Sequence, residues 1–192
     1  MADTDKYYNG RLFDKVDLNG LKLVGGQFED CTFNGCDFSE IPFHDLQFTK
    51  CTFSGCNLSM VKFRGISLDQ VHFIDSKLVG ADFTAAKDFL FGANFTNCRL
   101  DYSSFIKKKN KKSFFKNCSL IGADFTETDL TSSIFERCDL AAAVFVRSNL
   151  KAVDFTTSFN FDIDPEKNQL RQAKFSAHGL AGLLTRHGLL VE

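Results

Sequence analysis

The chain contains few of the residue types that usually interrupt or anchor a globular fold. Trp is absent, and only two prolines and two methionines occur among 192 residues. No run of 18 apolar residues is present, so the sequence predicts no membrane-spanning helix. The first ten residues lack the basic and apolar regions of a signal peptide, and we therefore expect a soluble, cytoplasmic protein.

Motifs that carry catalysis or bind metals are also missing. The sequence has no Gly-rich phosphate loop, no His-Glu-x-x-His and no nucleophile elbow. Its seven cysteines include no Cys-x2-Cys spacing, and its four histidines are scattered along the chain. We therefore expect no enzymatic activity, no metal and no cofactor, and a protein that acts as a binding surface.

What the sequence does have is 23 Phe, and they recur with a fixed period. Every fifth residue from Phe13 to Phe83 is Phe or Leu; after a two-residue slip the spacing resumes at Leu90 and continues to Phe155, interrupted only at Asn110. A helix requires a period of 3.6 and a strand a period of two, so this period predicts a repeat architecture. The expected core includes Phe33, Phe53, Phe73, Phe95 and Phe125.

The cysteines share one position of this repeat. Each lies two residues before a member of the Phe and Leu series, where small or aliphatic residues occur in other repeats. We therefore interpret them as buried free thiols that replace apolar residues, rather than as disulfide or zinc ligands. Five of them are expected in one column of the core: Cys36, Cys56, Cys98, Cys118 and Cys138.

The repeat is plainest in residues 81–84 (Ala-Asp-Phe-Thr), 93–96 (Ala-Asn-Phe-Thr) and 123–126 (Ala-Asp-Phe-Thr). In these features the chain resembles the pentapeptide-repeat family. The resemblance implies an all-β fold, a right-handed quadrilateral β-helix with four pentapeptides per coil, followed here by a short C-terminal helix and tail. The corresponding domains would be an N-terminal cap (1–10), the β-helix (11–157) and a C-terminal capping or dimerisation segment (158–192).

Two stretches interrupt the repeat. The slip at 84–89 predicts a bulge at one corner of a coil. The stretch 107–112 keeps the count of five but puts Lys108 and Asn110 at inward positions, where neither is expected, so we predict that this face bulges outward or forms a loop. The candidate partner-binding residues are Lys107, Lys108, Lys109, Asn110, Lys111 and Lys112, with a merely solvated loop as the alternative.

The net charge of −1 conceals an uneven distribution. Residues 1–156 contain 19 Lys or Arg and 20 Asp or Glu, and six of these lysines lie in 107–116. Without that stretch, 13 basic and 20 acidic residues remain. The sequence therefore predicts an acidic rod with one basic patch.

The segment after Phe155 leaves the repeat. Ser176 can cap a helix over roughly 177–187. An exposed end of a solenoid must be capped or paired, and we favour a two-fold dimer over an intramolecular cap. The expected dimer interface comprises Phe175, Leu180, Leu183, Leu184, Leu189 and Val191.

Segments 161–165, 173–176 and 179–184 of this tail are similar to the C-terminal segment of the quinolone-resistance (Qnr) proteins and their topoisomerase-protecting relatives. This resemblance implies a homodimer that mimics duplex DNA, binds a type II topoisomerase (DNA gyrase) and protects it from quinolone-type inhibitors, without binding nucleic acid or membranes itself. The alternative is an immunity or scaffold protein that binds another partner through the Lys-rich patch. Direct binding of nucleic acid by that patch ranks last.

Overall fold

The computed structural model describes residues 7–15, 25–39 and 44–187. Over these residues the chain forms a solenoid of short parallel strands, each coil lying on the previous one. The strands are β1 (Tyr7–Asn9), β2 (Leu12–Asp14), β3 (Gln27–Glu29), β4 (Thr32–Asn34), β5 (Gln47–Thr49), β6 (Thr52–Ser54), β7 (Ser67–Asp69), β8 (Val71–Ile74), β9 (Ala93–Thr96), β10 (Phe114–Lys116) and β11 (Ile134–Glu136).

The strands form two parallel sheets on neighbouring sides of the solenoid. One sheet has the order β1-β3-β5-β7, and the other the order β11-β10-β9-β8-β6-β4-β2. Isolated parallel bridges, such as Asp37 with Asn57 and Lys62 with Asp82, join the coils on the remaining sides. The predicted β-helix is therefore confirmed.

Stacked Phe rings fill the interior. Phe33 pairs with Phe53 of the next coil, and their ring centroids are 4.8 Å apart with nearly parallel planes. Phe28, on the neighbouring side, meets Phe33 edge to face at 5.4 Å. Both geometries are favourable, each contributing about 0.5–1.5 kcal/mol beyond area burial. The five Phe named above as expected core residues are all fully buried.

The slip produces one longer coil. Phe73 pairs with Phe95, not with Ala93 as an uninterrupted period would require, and the regular spacing then returns with Phe115 opposite Phe95. The assignment of Leu90 to the inward series is wrong, because its side chain is exposed and Phe91 is buried instead. The two extra residues carry the chain outward at this corner. The first buried large side chain after the slip is Phe91, one residue later than the resumed period predicts.

The stretch 107–112 keeps the path of a regular coil. Lys109 forms a parallel bridge with Asp129, and both Lys108 and Asn110 are buried. The prediction that this face bulges outward or forms a loop is therefore wrong. The physical reason is that the longer coil below offers Lys108 a carbonyl oxygen and a carboxylate as hydrogen-bond acceptors.

Bulky corner residues lie over glycines of the next coil on one edge of the solenoid. Met60 and Tyr102 adopt the left-handed conformation, with φ of +59° and +58°. Their side chains cover Gly80 and Gly122 respectively, and a Cβ at Gly122 would lie 2.8 Å from Cδ1 of Tyr102. Gly122 itself has a φ of +65°, so glycine satisfies both the space and the backbone angle there.

The tail contains two 3-10 helices, η1 (Ala177–Leu183) and η2 (Thr185–His187), within the predicted helical segment. The Ser176 side chain accepts a hydrogen bond from the backbone N–H of Gly179, as predicted for a cap. Bridges between coils continue as far as Asp154 with Lys174, beyond the end of the sequence repeat. The domain division at 157 stays a prediction.

Candidate interaction surface

Lys108 is buried, with 3% of its surface exposed. Its Nζ donates to the carbonyl oxygen of Ala86 at 2.7 Å and to Oδ1 of Asp88 at 2.6 Å, and it lies 5.8 Å from the ring centroid of Phe91. A buried ammonium is tolerated only when it is paired and hydrogen-bonded. All three partners belong to the longer coil directly below Lys108.

Asn110 replaces the usual Phe or Leu and is 1% exposed. Its Nδ2 donates to the carbonyl oxygen of Ala93 at 3.0 Å, and its Oδ1 accepts from the backbone N–H of Ala93 at 3.1 Å. The side chain therefore satisfies two backbone groups beside the slip. The two irregularities in the sequence form one structural feature, which we call the braced corner: residues 84–92 with Lys108 and Asn110.

The braced corner exposes two adjacent apolar side chains. Phe89 is 79% exposed, the largest fraction among the large apolar residues that the structure describes, and Leu90 is 57% exposed. Leu90 has a φ of +56°, a left-handed conformation that is unusual for Leu. No periodic signal in the sequence indicates this exposure; an insertion beside two large apolar residues is the feature that could have suggested it.

The other lysines of the predicted patch point outward and are partly neutralised. Lys107 lies 3.7 Å from Glu127 and Lys111 lies 3.1 Å from Asp129, both one coil later. Lys109 is exposed, and it forms no ion pair with any residue that the structure describes. The same holds for Lys112, so the patch has fewer free positive charges than the sequence suggests.

Carboxylates after the braced corner are mostly paired between coils. Glu127 meets Arg147 at 2.6 Å, and the hydrogen bonds from Arg147 hold the pKa of Glu127 below its ordinary value. Asp154 meets Lys174 at 3.6 Å. The carboxylates without an ion pair in ranges 7–15, 25–39 and 44–187 are Asp14, Glu29, Asp30, Asp37, Asp69, Asp75, Asp82, Asp124, Asp139 and Asp162. Most of them therefore precede the corner.

The four predicted dimer residues that the structure describes divide into two groups. Phe175 is half-buried, stacks on Phe155 with centroids 5.3 Å apart, and so covers the core of its own chain. Leu183 also packs against that core, and Leu184 is half-buried. Leu180 is 48% exposed and remains free for another molecule. Leu189 and Val191 lie outside the described residues.

The tail is fastened to its own chain by close backbone contact and by ion pairs. The backbone N–H of Ile163 donates to the carbonyl oxygen of Gly182 at 2.9 Å, and a Cβ at Gly182 would collide with the carbonyl oxygen of Phe161. Arg186 binds both oxygens of Asp164 at 2.8 Å, and its hydrogen bonds lower the pKa of Asp164. This geometry supplies an intramolecular cap, the second of the two alternatives.

The described residues offer neither a metal site nor a membrane span. They contain no group of three or more His, Cys, Asp or Glu side chains that could hold a metal ion. Within the same part of the chain, no helix has the length and apolar character needed to cross a membrane. What the geometry does offer is two carboxylate-bearing sheets and one rigid apolar corner.

Two models of known repeats match the chain. One, described as a pentapeptide repeat region, matches residues 26–105; the other, described as pentapeptide repeats in eight copies, matches residues 112–137 and 118–156. Together they cover more than half of the chain. It belongs to the pentapeptide-repeat family. Comparison with curated protein sequences finds no match.

Several solved structures of other proteins are similar to this chain. Two trypsin-treated forms of QnrB1, a plasmid-mediated fluoroquinolone resistance protein, are 23% identical to this chain and match 97% of it, with TM-scores of 0.63 and 0.62; 98% and 97% of their own chains are covered. HetL, which is involved in heterocyst differentiation regulation in the cyanobacterium Nostoc, is 14% identical over 88% of this chain and 84% of its own, with a TM-score of 0.27. At this identity the QnrB1 likeness shows the fold alone.

Proposed function

We propose that this pentapeptide-repeat protein is a non-catalytic, cytoplasmic mimic of duplex DNA that binds a type II topoisomerase, DNA gyrase, and protects it from quinolone-type inhibitors. The observation that carries the proposal is the set of unpaired carboxylates on the rod, together with the likeness in fold to QnrB1. A basic DNA-binding surface attracts such a negative field as it attracts phosphates.

The two sheets carry three of these carboxylates. Glu29 on β3 and Asp69 on β7 belong to the four-stranded sheet, two coils apart with Thr49 between them, and Asp14 on β2 belongs to the neighbouring sheet. Successive coils in a parallel sheet lie about 4.8 Å apart, so these charges form a fixed array. Because the backbone of each coil pairs with its neighbours, this array costs little ordering when it binds.

The proposal predicts that the purified protein relieves quinolone inhibition of gyrase supercoiling at concentrations that leave supercoiling itself intact. Neutralising two sheet carboxylates, Glu29→Gln with Asp69→Asn, should raise the concentration needed for relief. Asp162→Asn, near the tail, serves as the matched control and should behave like the wild type. Absence of relief at every such concentration would contradict the proposal.

We also propose that the protein is a homodimer joined at its C-terminal end. The intramolecular cap leaves Leu180 exposed on η1, and Phe159, from the last coils, is 49% exposed. Exposed apolar side chains beside an open solenoid end mark a surface that a second molecule can cover. Each protomer would thus cap its own core and present these remaining apolar residues to its partner.

A second candidate function is an immunity or scaffold role through the Lys-rich patch. The side chains of Lys109 and Lys112, which are exposed and form no ion pair within ranges 7–15, 25–39 and 44–187, favour it. Affinity capture of a partner other than a topoisomerase, lost in the variant Lys109→Ser with Lys112→Ser, would support this function. Buried Lys108 is left unchanged in that variant, since its replacement would disturb the fold.

A further inference from the structure

The braced corner combines apolar exposure with a fixed backbone. The backbone N–H groups of Lys87 and Gly92 each donate to the previous coil at 2.8 Å, to the carbonyl oxygens of Ile66 and Leu68. Lys108 holds the same corner from the coil above. The pair Phe89 and Leu90 is therefore presented by a rigid frame, and binding through it requires little loss of conformational entropy.

Exposed lysines lie on the corner and on the coil above it, while Asp69 lies on the coil below. Lys87 is exposed on the corner itself, and Lys109 and Lys112 are exposed on the coil directly above it. Within the part of the chain that the structure describes, none of the three forms an ion pair. The one carboxylate at the tip, Asp88, is paired with Lys108 at 2.6 Å. The corner is thus an apolar projection with a cationic border on a rod that is otherwise acidic.

We propose that the braced corner is an anchor that inserts Phe89 and Leu90 into an apolar pocket bordered by carboxylates on a protein partner. This inference rests on the proposed function and names its second contact: the sheets supply charge, and the corner supplies apolar burial. Adjacent large apolar side chains on a rigid frame have the properties of an interface hot spot. Duplex DNA has no equivalent projection, so this contact distinguishes the protein from the nucleic acid whose charge it resembles.

A protein pocket fits the corner better than a lipid surface. Only two large apolar side chains project from the braced corner, and residues 1–156 outside the Lys-rich stretch carry 13 basic and 20 acidic groups. Anionic lipid repels such a rod, and stable attachment to a bilayer requires more buried apolar area than two side chains provide. A protein pocket can enclose both side chains while its carboxylates meet the three lysines.

The test is the affinity of the full-length chain for DNA gyrase, measured over a range of salt concentrations. Phe89→Ser should weaken binding about thirty-fold, as expected for a hot spot, at every salt concentration. The slope of log affinity against log salt should stay unchanged, because no charge has been removed. Tyr102→Ser is the matched control: Tyr102 is a left-handed corner residue that is 68% exposed on another edge, and its replacement should leave affinity unaltered.

Leu90→Asn gives a second, independent variant. Asn accepts the left-handed conformation readily, so it preserves the corner while removing the apolar contact. It should weaken binding in the same salt-independent manner. Reversing the border with Lys109→Glu and Lys112→Glu should also weaken binding, whereas Lys62→Glu on another face should not.

The outcomes separate this inference from the proposed function. Equal affinities for gyrase of the wild type and of the folded Phe89→Ser and Leu90→Asn variants would overturn the anchor and leave the proposed function standing. Failure of the wild type to bind gyrase would overturn both. Binding of the wild type to phosphatidylserine vesicles, lost in Phe89→Ser, would overturn the protein pocket in favour of a lipid surface.

Discussion

At the residue scale, the second inward position of most repeats holds either an aliphatic side chain or a short hydrogen-bond donor, with Lys108 as an exception. The thiol of Cys56 donates to the carbonyl oxygen of Phe33 at 3.3 Å, and the hydroxyl of Ser76 donates to that of Phe53 at 3.2 Å. Both reach the coil below in the same manner. The five-residue period predicts that the cysteines are buried, but it carries no information about these partners, because the donor and the acceptor lie in different coils.

The same geometry predicts that the native thiols are inert. Burial raises the pKa of Cys51 and of Cys56 to about 12, whereas hydrogen bonds with Cys118 lower the pKa of Cys98 and of Cys138. All seven cysteines are buried and free. Since burial keeps a thiol reagent away from every one of them, the reagent at pH 8 should react with none in the folded protein. All seven should react once the protein is denatured in urea, which is the control. Fast reaction of any thiol in the native protein would contradict this prediction.

Carboxylates next to the inward residues accept hydrogen bonds in their charged form, so we expect the folded state to lose stability in acid. The hydroxyl of Thr156 donates to Asp154 at 2.6 Å, its backbone N–H donates at 3.0 Å, and these bonds lower the pKa of Asp154. A pKa below the unfolded value of about 3.9 stabilises the folded state above that pH, and the contribution disappears as the pH falls through the folded pKa.

Thermal unfolding between pH 7 and pH 2 measures this contribution. Asp154→Asn should have a lower melting temperature than the wild type at pH 7, and the difference should shrink as the pH falls below about 4 and through the lowered folded pKa, where the wild type becomes protonated too. Asp162→Asn, at an exposed residue without a hydrogen bond in the described ranges, is the control. A difference between Asp154→Asn and the wild type that persists at pH 2 would contradict the electrostatic explanation.

At the element scale, the braced corner shows how one coil determines the residues of the next. Two extra residues make the coil below Lys108 longer, and its carbonyl groups and Asp88 are left where an inward side chain can reach them. An apolar residue at 108 could not satisfy the carbonyl of Ala86. The coil therefore accommodates Lys and Asn at inward positions without bulging.

Replacing Lys108 tests this dependence. Lys108→Met keeps the volume but leaves the carbonyl oxygen of Ala86 without its donor, which should lower the free energy of unfolding by about 1–3 kcal/mol. Lys109→Met, at the exposed neighbour, should change it by less than about 0.5 kcal/mol. Urea unfolding followed by circular dichroism gives both values. Equal stability of the two variants would show that the brace is unimportant.

The repeat period predicts only part of the arrangement of coils. The period of five identifies the solenoid and its inward Phe column because both depend on neighbours at fixed spacing. The period does not predict the burial of Lys108 and Asn110, because that burial depends on an insertion one coil earlier. Asp88 and Lys108 are 20 residues apart in the sequence, which is the length of one regular coil. This spacing is the one signal that could have connected the two irregularities.

At the scale of the whole molecule, the two halves of the rod differ in charge pairing. Ion pairs such as Lys116 with Glu136 and Arg147 with Glu127 join coils after the corner, whereas most unpaired carboxylates precede it. The overall composition could not show this, because pairing depends on which residues lie one coil apart. We therefore expect the part of the rod before the corner to contribute most of the electrostatic attraction to a basic partner.

The C-terminal end gives a prediction for the dimer. Leu180→Glu should yield monomers with only the fall in melting temperature that loss of the partner causes, because Leu180 does not belong to the core of its own chain. Leu183→Glu should yield monomers and lower the melting temperature further, since Leu183 packs against that core. Light scattering after size exclusion and thermal unfolding separate the two effects. A dimer that persists in Leu180→Glu would exclude η1 as the interface.

Met60 over Gly80 and Tyr102 over Gly122 make one edge of the rod alternate between a bulky residue and glycine from coil to coil. From Met60 to Gly122 the structural unit along this edge is a pair of coils, and Ala142 follows on the next coil. A single coil duplicated within this part would place two bulky corner side chains, or two glycines, in succession. This part of the rod is therefore best lengthened or shortened by a pair of coils, which keeps Met60 and Tyr102 each over a glycine.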